Sequence, residues 1–209
     1  MKYILWDFNG TIIDDTQLCF DIEIKMLKDR NMYHDYDLKW YRDHFRFPVI
    51  DYYYDLGYTF EKEDFHDISI EFNDIYNKEF NTIPLMDGFI EKIEEAIAKG
   101  YRNIIISASM QDNLIRQCKA LGIDKYFDEL IGIDNLHAGS KIDRALEWMN
   151  KSKIDAKMCK YIGDTDHDRE VAIALGIEDY ILIACGHQSY EVLEKSTNKI
   201  CHRLYEVEL

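Results

Sequence analysis

Proline and glycine are scarce in this chain of 209 residues, at 2 and 10. Set beside 47% hydrophobic and 13% aromatic content, that scarcity excludes wholesale disorder and low-complexity architecture. Positive charge is also short: 25 Lys+Arg face 40 Asp+Glu, for a formal net charge of −15. So acidic a surface repels phosphate backbones and anionic lipids, which argues against nucleic acid and membrane partners. The five cysteines (Cys19, Cys118, Cys159, Cys185, Cys201) never form a C-x-x-C pair. They read as reduced, mostly buried small hydrophobes of an intracellular protein rather than a metal cluster. No apolar run approaches the roughly 20 residues that span a bilayer, and no signal peptide is visible: the first run, Tyr3 to Trp6, meets Asp7 at once. These absences predict a cytoplasmic protein. They also make any anionic substrate a problem that a local cation or aimed amides must solve.

The length suits one domain, or a core domain with a modest insertion. Tyr3–Trp6 is apolar on both faces, as a buried parallel strand requires, and similar runs recur at 103–107, 130–133, 160–163 and 180–184. Between them lie helical patterns at 89–99, 113–121, 141–149 and 170–175, three of which run into Gly100, Gly122 and Gly176. Alternating strands and helices predict an α/β fold, a parallel sheet with helices on both faces. The stretch 14–85 breaks that rhythm. It holds 8 of the 15 tyrosines, apolar residues at helical spacing and no comparable strand run, with 8 Lys+Arg against 17 Asp+Glu. It reads as a helical insertion, with residues 1–13 and 86–209 forming the core domain and Pro84 and Gly88 marking the return.

Chemistry-bearing residues gather where such sheets bind ligands, beyond the carboxyl ends of the strands. Asp7-Phe8-Asn9-Gly10-Thr11 follows the first strand directly; a lone Asp there is ordinarily a cap or turn residue. Gly163-Asp164-Thr165-Asp166-His167-Asp168 follows another strand, and its carboxylates suit a hard cation. An EF-hand reading fails, because Arg169 stands where the turn needs Gly and Leu175 where a bidentate Glu belongs; an acidic cap on the helix from Glu170 is the plainer alternative. The run Ile104-Ile105-Ile106 delivers Ser107 to the same edge, followed by Ala108 and Ser109. Lys141 opens a helix after Gly139-Ser140, 23 residues before Asp164.

In this order and spacing the residues resemble the four motifs of the haloacid dehalogenase superfamily, specifically its helical-cap phosphatase branch. The segments Leu85–Ser109, Gly186-His187-Gln188-Ser189 and Phe45–Gly57 look like those of phosphoglycolate phosphatases. The resemblance implies a Rossmann-like core with an inserted α-helical cap. It implies Asp7 as a nucleophile that forms an aspartyl-phosphate. Mg²⁺ would be held by Asp7, the main-chain carbonyl of Asn9, Asp164 and waters, with Asp168 in support. Amides of Phe8, Asn9, Gly10 and Thr11, with Ser107, Ala108 and Lys141, would cradle the phosphate oxygens.

Asn9 departs from the pattern, which has Asp there as general acid and then base. An amide has no proton to exchange near neutral pH, and losing acid–base help costs about 10²–10⁴-fold in rate. Three explanations stand: another group such as His44 or His187 supplies the proton; the leaving group needs none, as in an acyl phosphate; or the protein is slow and mainly binds a phosphorylated ligand. An engineered Asp-to-Asn change is compatible with the same sequence. Dehalogenases do without the 163–168 loop retained here, and phosphonatases need a cap lysine, for which Lys25, Lys28 and Lys39 are candidates by location alone. A phosphoglucomutase-like role leans on the missing acid.

In the insertion, Arg42, His44 and Arg46 cluster before Pro48, in the region resembling a substrate-facing helix. They read as contacts to the part of the substrate remote from phosphorus, or else as surface partners of Asp43, Asp51 or Asp55. Tyr52-Tyr53-Tyr54 and Tyr58 read as packing. The expected partner is a small phosphorylated metabolite, and the expected assembly a monomer or homodimer.

Overall fold

A computed structural model describes residues 1–134 and 141–209. Gly139 and Ser140, read above as the approach to Lys141, lie outside the described residues. Six strands form one parallel sheet: β1 (Lys2–Trp6), β2 (Tyr101–Met110), β3 (Glu129–Ile133), β4 (Cys159–Gly163), β5 (Asp179–Ile183) and β6 (Ile200–Cys201), in the order β3-β2-β1-β4-β5-β6. The first strand is therefore central, and its register pairs Trp6 with Ile105 of β2 and Ile162 of β4.

Alternation along β1 sorts its side chains between two cores. Ile4 and Trp6 face a cluster with Phe89, Ile93 and Ala96 of α5 (Phe89–Ala98) and Leu114 and Cys118 of α6 (Gln111–Ala120). Leu5 faces the other, with Ala145, Trp148 and Met149 of α7 (Lys141–Ser152) and Val171 and Ala172 of α8 (Asp166–Ala174). All three β1 residues have no exposed surface, worth about 1.5–3 kcal/mol for each large side chain buried.

Between β1 and α5 lie α1 (Thr16–Asp29), α2 (Leu38–His44), α3 (Val49–Asp55) and α4 (Phe65–Glu79). Acidic residues start two of them: Asp37 accepts from Trp40 N at 2.7 Å and Asp64 from Asp67 N at 2.9 Å, each satisfying a donor that the first turn leaves open. The outgoing and returning chains pair with each other. Asp14 N donates to Pro84 O at 3.0 Å, Met86 N donates to Ile12 O at 2.8 Å, and Ile13 bridges Leu85. The insertion's apolar residues, including Met26, Tyr41, Tyr52, Ile68 and Phe80, join the Ile4–Trp6 cluster without a break.

Candidate active site

Asp7 sits one residue past the end of β1, with its amide still bonded to Ile162 O at 2.8 Å. Asp164 sits one residue past β4, and Ser107 lies in β2 two residues beyond the partner of Trp6. Three adjacent strands thus deliver these residues to one edge. At Gly10 the chain turns with φ +70°, and an added Cβ would lie 2.3 Å from Asp164 Oδ2; at Gly186 it would lie 2.2 Å from the same oxygen. Both glycines are there because backbone closes directly over a carboxylate.

Lys141, the first residue of α7, is buried and its Nζ donates to Oδ1 of both Asp7 and Asp168. Asp168 is fixed from its other oxygen: Oδ2 accepts from Asp164 N at 3.1 Å, Thr165 N at 3.0 Å and Thr165 Oγ1 at 2.8 Å, as part of a capping box at the start of α8. Thr11 Oγ1 donates to Asp164 Oδ1 at 3.3 Å, and His187 N donates to Asp164 Oδ2 at 2.6 Å.

The charges are unevenly matched. Asp7, Asp164 and Asp168 bring carboxylate oxygens within 4.8 Å of one another, all buried. Burial first, then the Asp168 charge, pushes the Asp7 carboxyl well above the usual range despite Lys141. Burial likewise raises Asp164 to about 7. Burial works against ionised Asp168 too, but Lys141 and the Thr165 donors outweigh it and hold that carboxyl low. Three hard oxygen donors and one ammonium leave a deficit of positive charge that a divalent cation would meet, so the residues fit Mg²⁺.

Asn9 belongs to a second buried network. Its Nδ2 donates to Asp15 Oδ2 at 2.7 Å and to Tyr76 Oη at 2.9 Å, and its Oδ1 accepts from Ser109 Oγ at 3.0 Å. Asp15 also accepts from Tyr76 Oη at 2.7 Å and Gly10 N at 2.8 Å, and its Oδ1 lies 3.2 Å from His187 Nε2. Burial opposes ionised Asp15, but His187, Asn9 and Tyr76 hold its carboxyl low. Burial lowers His187, and Asp15 more than reverses this, pushing the imidazole up to about 9. The sequence does not single out Asp15 or Tyr76. The acidic pair Asp14-Asp15 beside the first motif is the only signal for Asp15, and α4 carries none for Tyr76.

Several expectations need correction. The Gly10 amide is committed to Asp15, so it does not face a phosphate. Phe8, expected to bind through its amide, has its side chain in the core with no exposed surface, which leaves that expectation as it was. Arg42 is expected to meet the remote part of the substrate or a surface carboxylate; its guanidinium instead donates to the carbonyls of Ala184, Gly186 (2.9 Å) and Gln188 (3.3 Å), because a bent loop offers three acceptors to one planar fork. Arg46 pairs with Asp55 and Asp51 O on the surface. His44 bonds Trp40 O at 2.8 Å through Nδ1 and stacks on the Trp40 ring. Lys25 and Lys39 pair with Asp29 and Asp43 on the surface, and Lys28 lies over the Tyr33 ring. Ser107 is buried and accepts from Ser109 N at 3.0 Å, whereas Ala108 is exposed. Among the described residues, no helix is long and apolar enough to cross a membrane.

A family profile for haloacid dehalogenase-like hydrolases matches residues 4–182. The chain is 35% identical over 88 residues to pyrophosphatase PpaX of Listeria monocytogenes; that match spans 40% of this chain and 39% of the Listeria protein. In structure it is similar to a haloacid dehalogenase-like family hydrolase of Streptococcus pneumoniae, with TM-score 0.79, 19% identity and coverage of 97% and 94% of the two chains. A predicted phosphoglycolate phosphatase of Haemophilus somnus superposes with TM-score 0.77 at 17% identity, covering 99% and 96%.

Proposed function

The chain belongs to the haloacid dehalogenase-like hydrolases, and on that footing we propose that it is a Mg²⁺-dependent phosphatase acting on a small phosphorylated metabolite. The observation that carries this reading is the junction of Asp7, Lys141, Asp164 and Asp168 at adjoining strand tips. Asp7 is the nucleophile, attacking phosphorus through a carboxylate oxygen to form an aspartyl-phosphate. Lys141 orients that carboxylate, and its ammonium, with Ser107 and the amides of Phe8, Asn9 and Thr11, stabilises charge on the transferring oxygens. Asp7, Asp164 and the Asn9 carbonyl hold Mg²⁺, with Asp168 in support. When bound, the ion offsets repulsion between carboxylate and phosphate dianion. The helical insertion 14–85 is the cap that excludes water above the strand tips. A Listeria relative named a pyrophosphatase and a Haemophilus neighbour described as a predicted phosphoglycolate phosphatase both support phosphate chemistry.

Incubation with Mg²⁺ and a panel of phosphate esters and anhydrides tests the reading. Turnover is expected on at least one compound, and Asp7→Ala is expected to abolish it. A second reading, a non-catalytic binder of a phosphorylated ligand on the same fold, draws on Asn9. No turnover on any compound, combined with saturable, Mg²⁺-dependent phosphate binding in calorimetry, selects that reading instead.

A further inference from the structure

Resting on the phosphatase reading, we infer that this site acts on activated phosphates, acyl phosphates and phosphoanhydrides, and discriminates against alkyl phosphate monoesters. What decides the matter is which group can hand a proton to a leaving oxygen. Asn9 cannot, and its orientation is fixed: Nδ2 faces Asp15 and Tyr76, and Oδ1 faces Ser109. Among the described residues, four side chains at the site each donate to a protein acceptor. Ser109 Oγ donates to Asn9, Tyr76 Oη to Asp15, Thr11 Oγ1 to Asp164, and Lys141 Nζ to Asp7 and Asp168. His187 has both ring nitrogens engaged, Nδ1 with Tyr41 Oη at 2.7 Å and Nε2 with Asp15 at 3.2 Å. His44 is tied to Trp40.

With these described donors committed, the first chemical step of this proposal proceeds without proton transfer. An Asp7 oxygen forms a bond to phosphorus, the bond from phosphorus to the leaving oxygen breaks, and that oxygen departs with the electron pair. A carboxylate or a phosphate accepts this readily, since their conjugate acids have pKa values of about 4 and about 6. An alkoxide is a far stronger base, comparable to hydroxide, and needs the missing acid. In the second step water attacks the same phosphorus, the bond to Asp7 breaks and returns its pair to the carboxylate, and both water protons leave on the product phosphate. Asp15 explains why position 9 tolerates this amide. A carboxylate at position 9 would face the Asp15 carboxylate at hydrogen-bond distance, whereas the amide donates to it.

The test is kcat/KM over a series: acetyl phosphate, pyrophosphate, aryl phosphates from nitrophenols to phenol, and a simple alkyl phosphate. The expected result is a steep rise as the leaving group becomes less basic, with the alkyl ester below acetyl phosphate by at least about 10²–10⁴-fold, the usual worth of a general acid. The exchange variant N9D/D15N keeps a donor facing an acceptor between the two positions and is expected to flatten the series. Equal rates across the parent series overturn the inference and leave the phosphatase reading intact. An exchange variant that folds, turns over the aryl esters and keeps the parent's slope also overturns it. No turnover of any compound, acetyl phosphate included, overturns both.

Discussion

Two acids at the start of the insertion are buried and meet opposite fates. Asp15 has donors on both oxygens and stays ionised. Glu23 accepts from the Tyr52 hydroxyl at 2.5 Å, and burial pushes its carboxyl up to about 8 against that bond. Between its ordinary value of 4.5 and about 8, the unfolded chain gives up a proton that the native state keeps. Stability therefore falls as pH rises through that window. Glu23→Gln keeps an acceptor for Tyr52 and removes the titration. In thermal unfolding from pH 5 to 8, the variant is expected to lose less Tm than the parent; parallel curves would contradict the assignment. Residues whose role depends on a neighbouring motif are legible in the sequence: Asp7, Lys141 and Asp164 each follow a strand or open a helix. Asp15 and Tyr76 are not, because the contacts Asp15–His187 and Tyr76–Asp15 span 172 and 61 residues and no local pattern marks them.

Elements buried on both faces are the easiest to read, since an apolar run leaves a strand few alternatives. β6 escapes because two residues at a sheet edge carry no pattern. α8 begins at Asp166, four residues earlier than Glu170, because Thr165 and Asp168 cap it while their acidity reads as loop. The misreading of Arg42 has the same origin: a cation in an acidic insertion looks free for substrate until the 184–188 carbonyls fold against it. That contact, with Ser189 N to Arg42 O at 3.0 Å, Gln188 Nε2 to Phe45 O at 2.9 Å and Phe47 stacked on His167, closes α2 onto the sheet edge. Arg42→Ala leaves three carbonyls without their charged donor. It is expected to cost about 2 kcal/mol, or roughly 4–8 °C in Tm, and to speed hydrogen exchange in Leu38–His44 and 184–189. An unchanged exchange pattern would show that the clamp does not hold α2.

At the scale of the molecule, the apolar cluster running from β1 through α1, α2, α3 and α4 makes the insertion and the sheet one cooperative unit. Calorimetry is expected to record one transition rather than separate melting of the helices. Because a ligand of the native state alone stabilises it by mass action, millimolar Mg²⁺ is expected to raise that Tm. EDTA should reverse the rise, and Asp164→Asn or Gly186→Ala should abolish it. A Mg²⁺ shift that survives Asp164→Asn would move the ion to other ligands.

The central position of β1 also has a consequence in time. Its neighbours are strands that begin at Tyr101 and Cys159, so a ribosome adding about 5–20 residues per second leaves Ile4-Leu5-Trp6 without a complete sheet for on the order of ten seconds. The helices of the insertion emerge during that interval. They share the cluster that receives Ile4 and Trp6, and so offer the nascent strand its first apolar shelter before either neighbour exists.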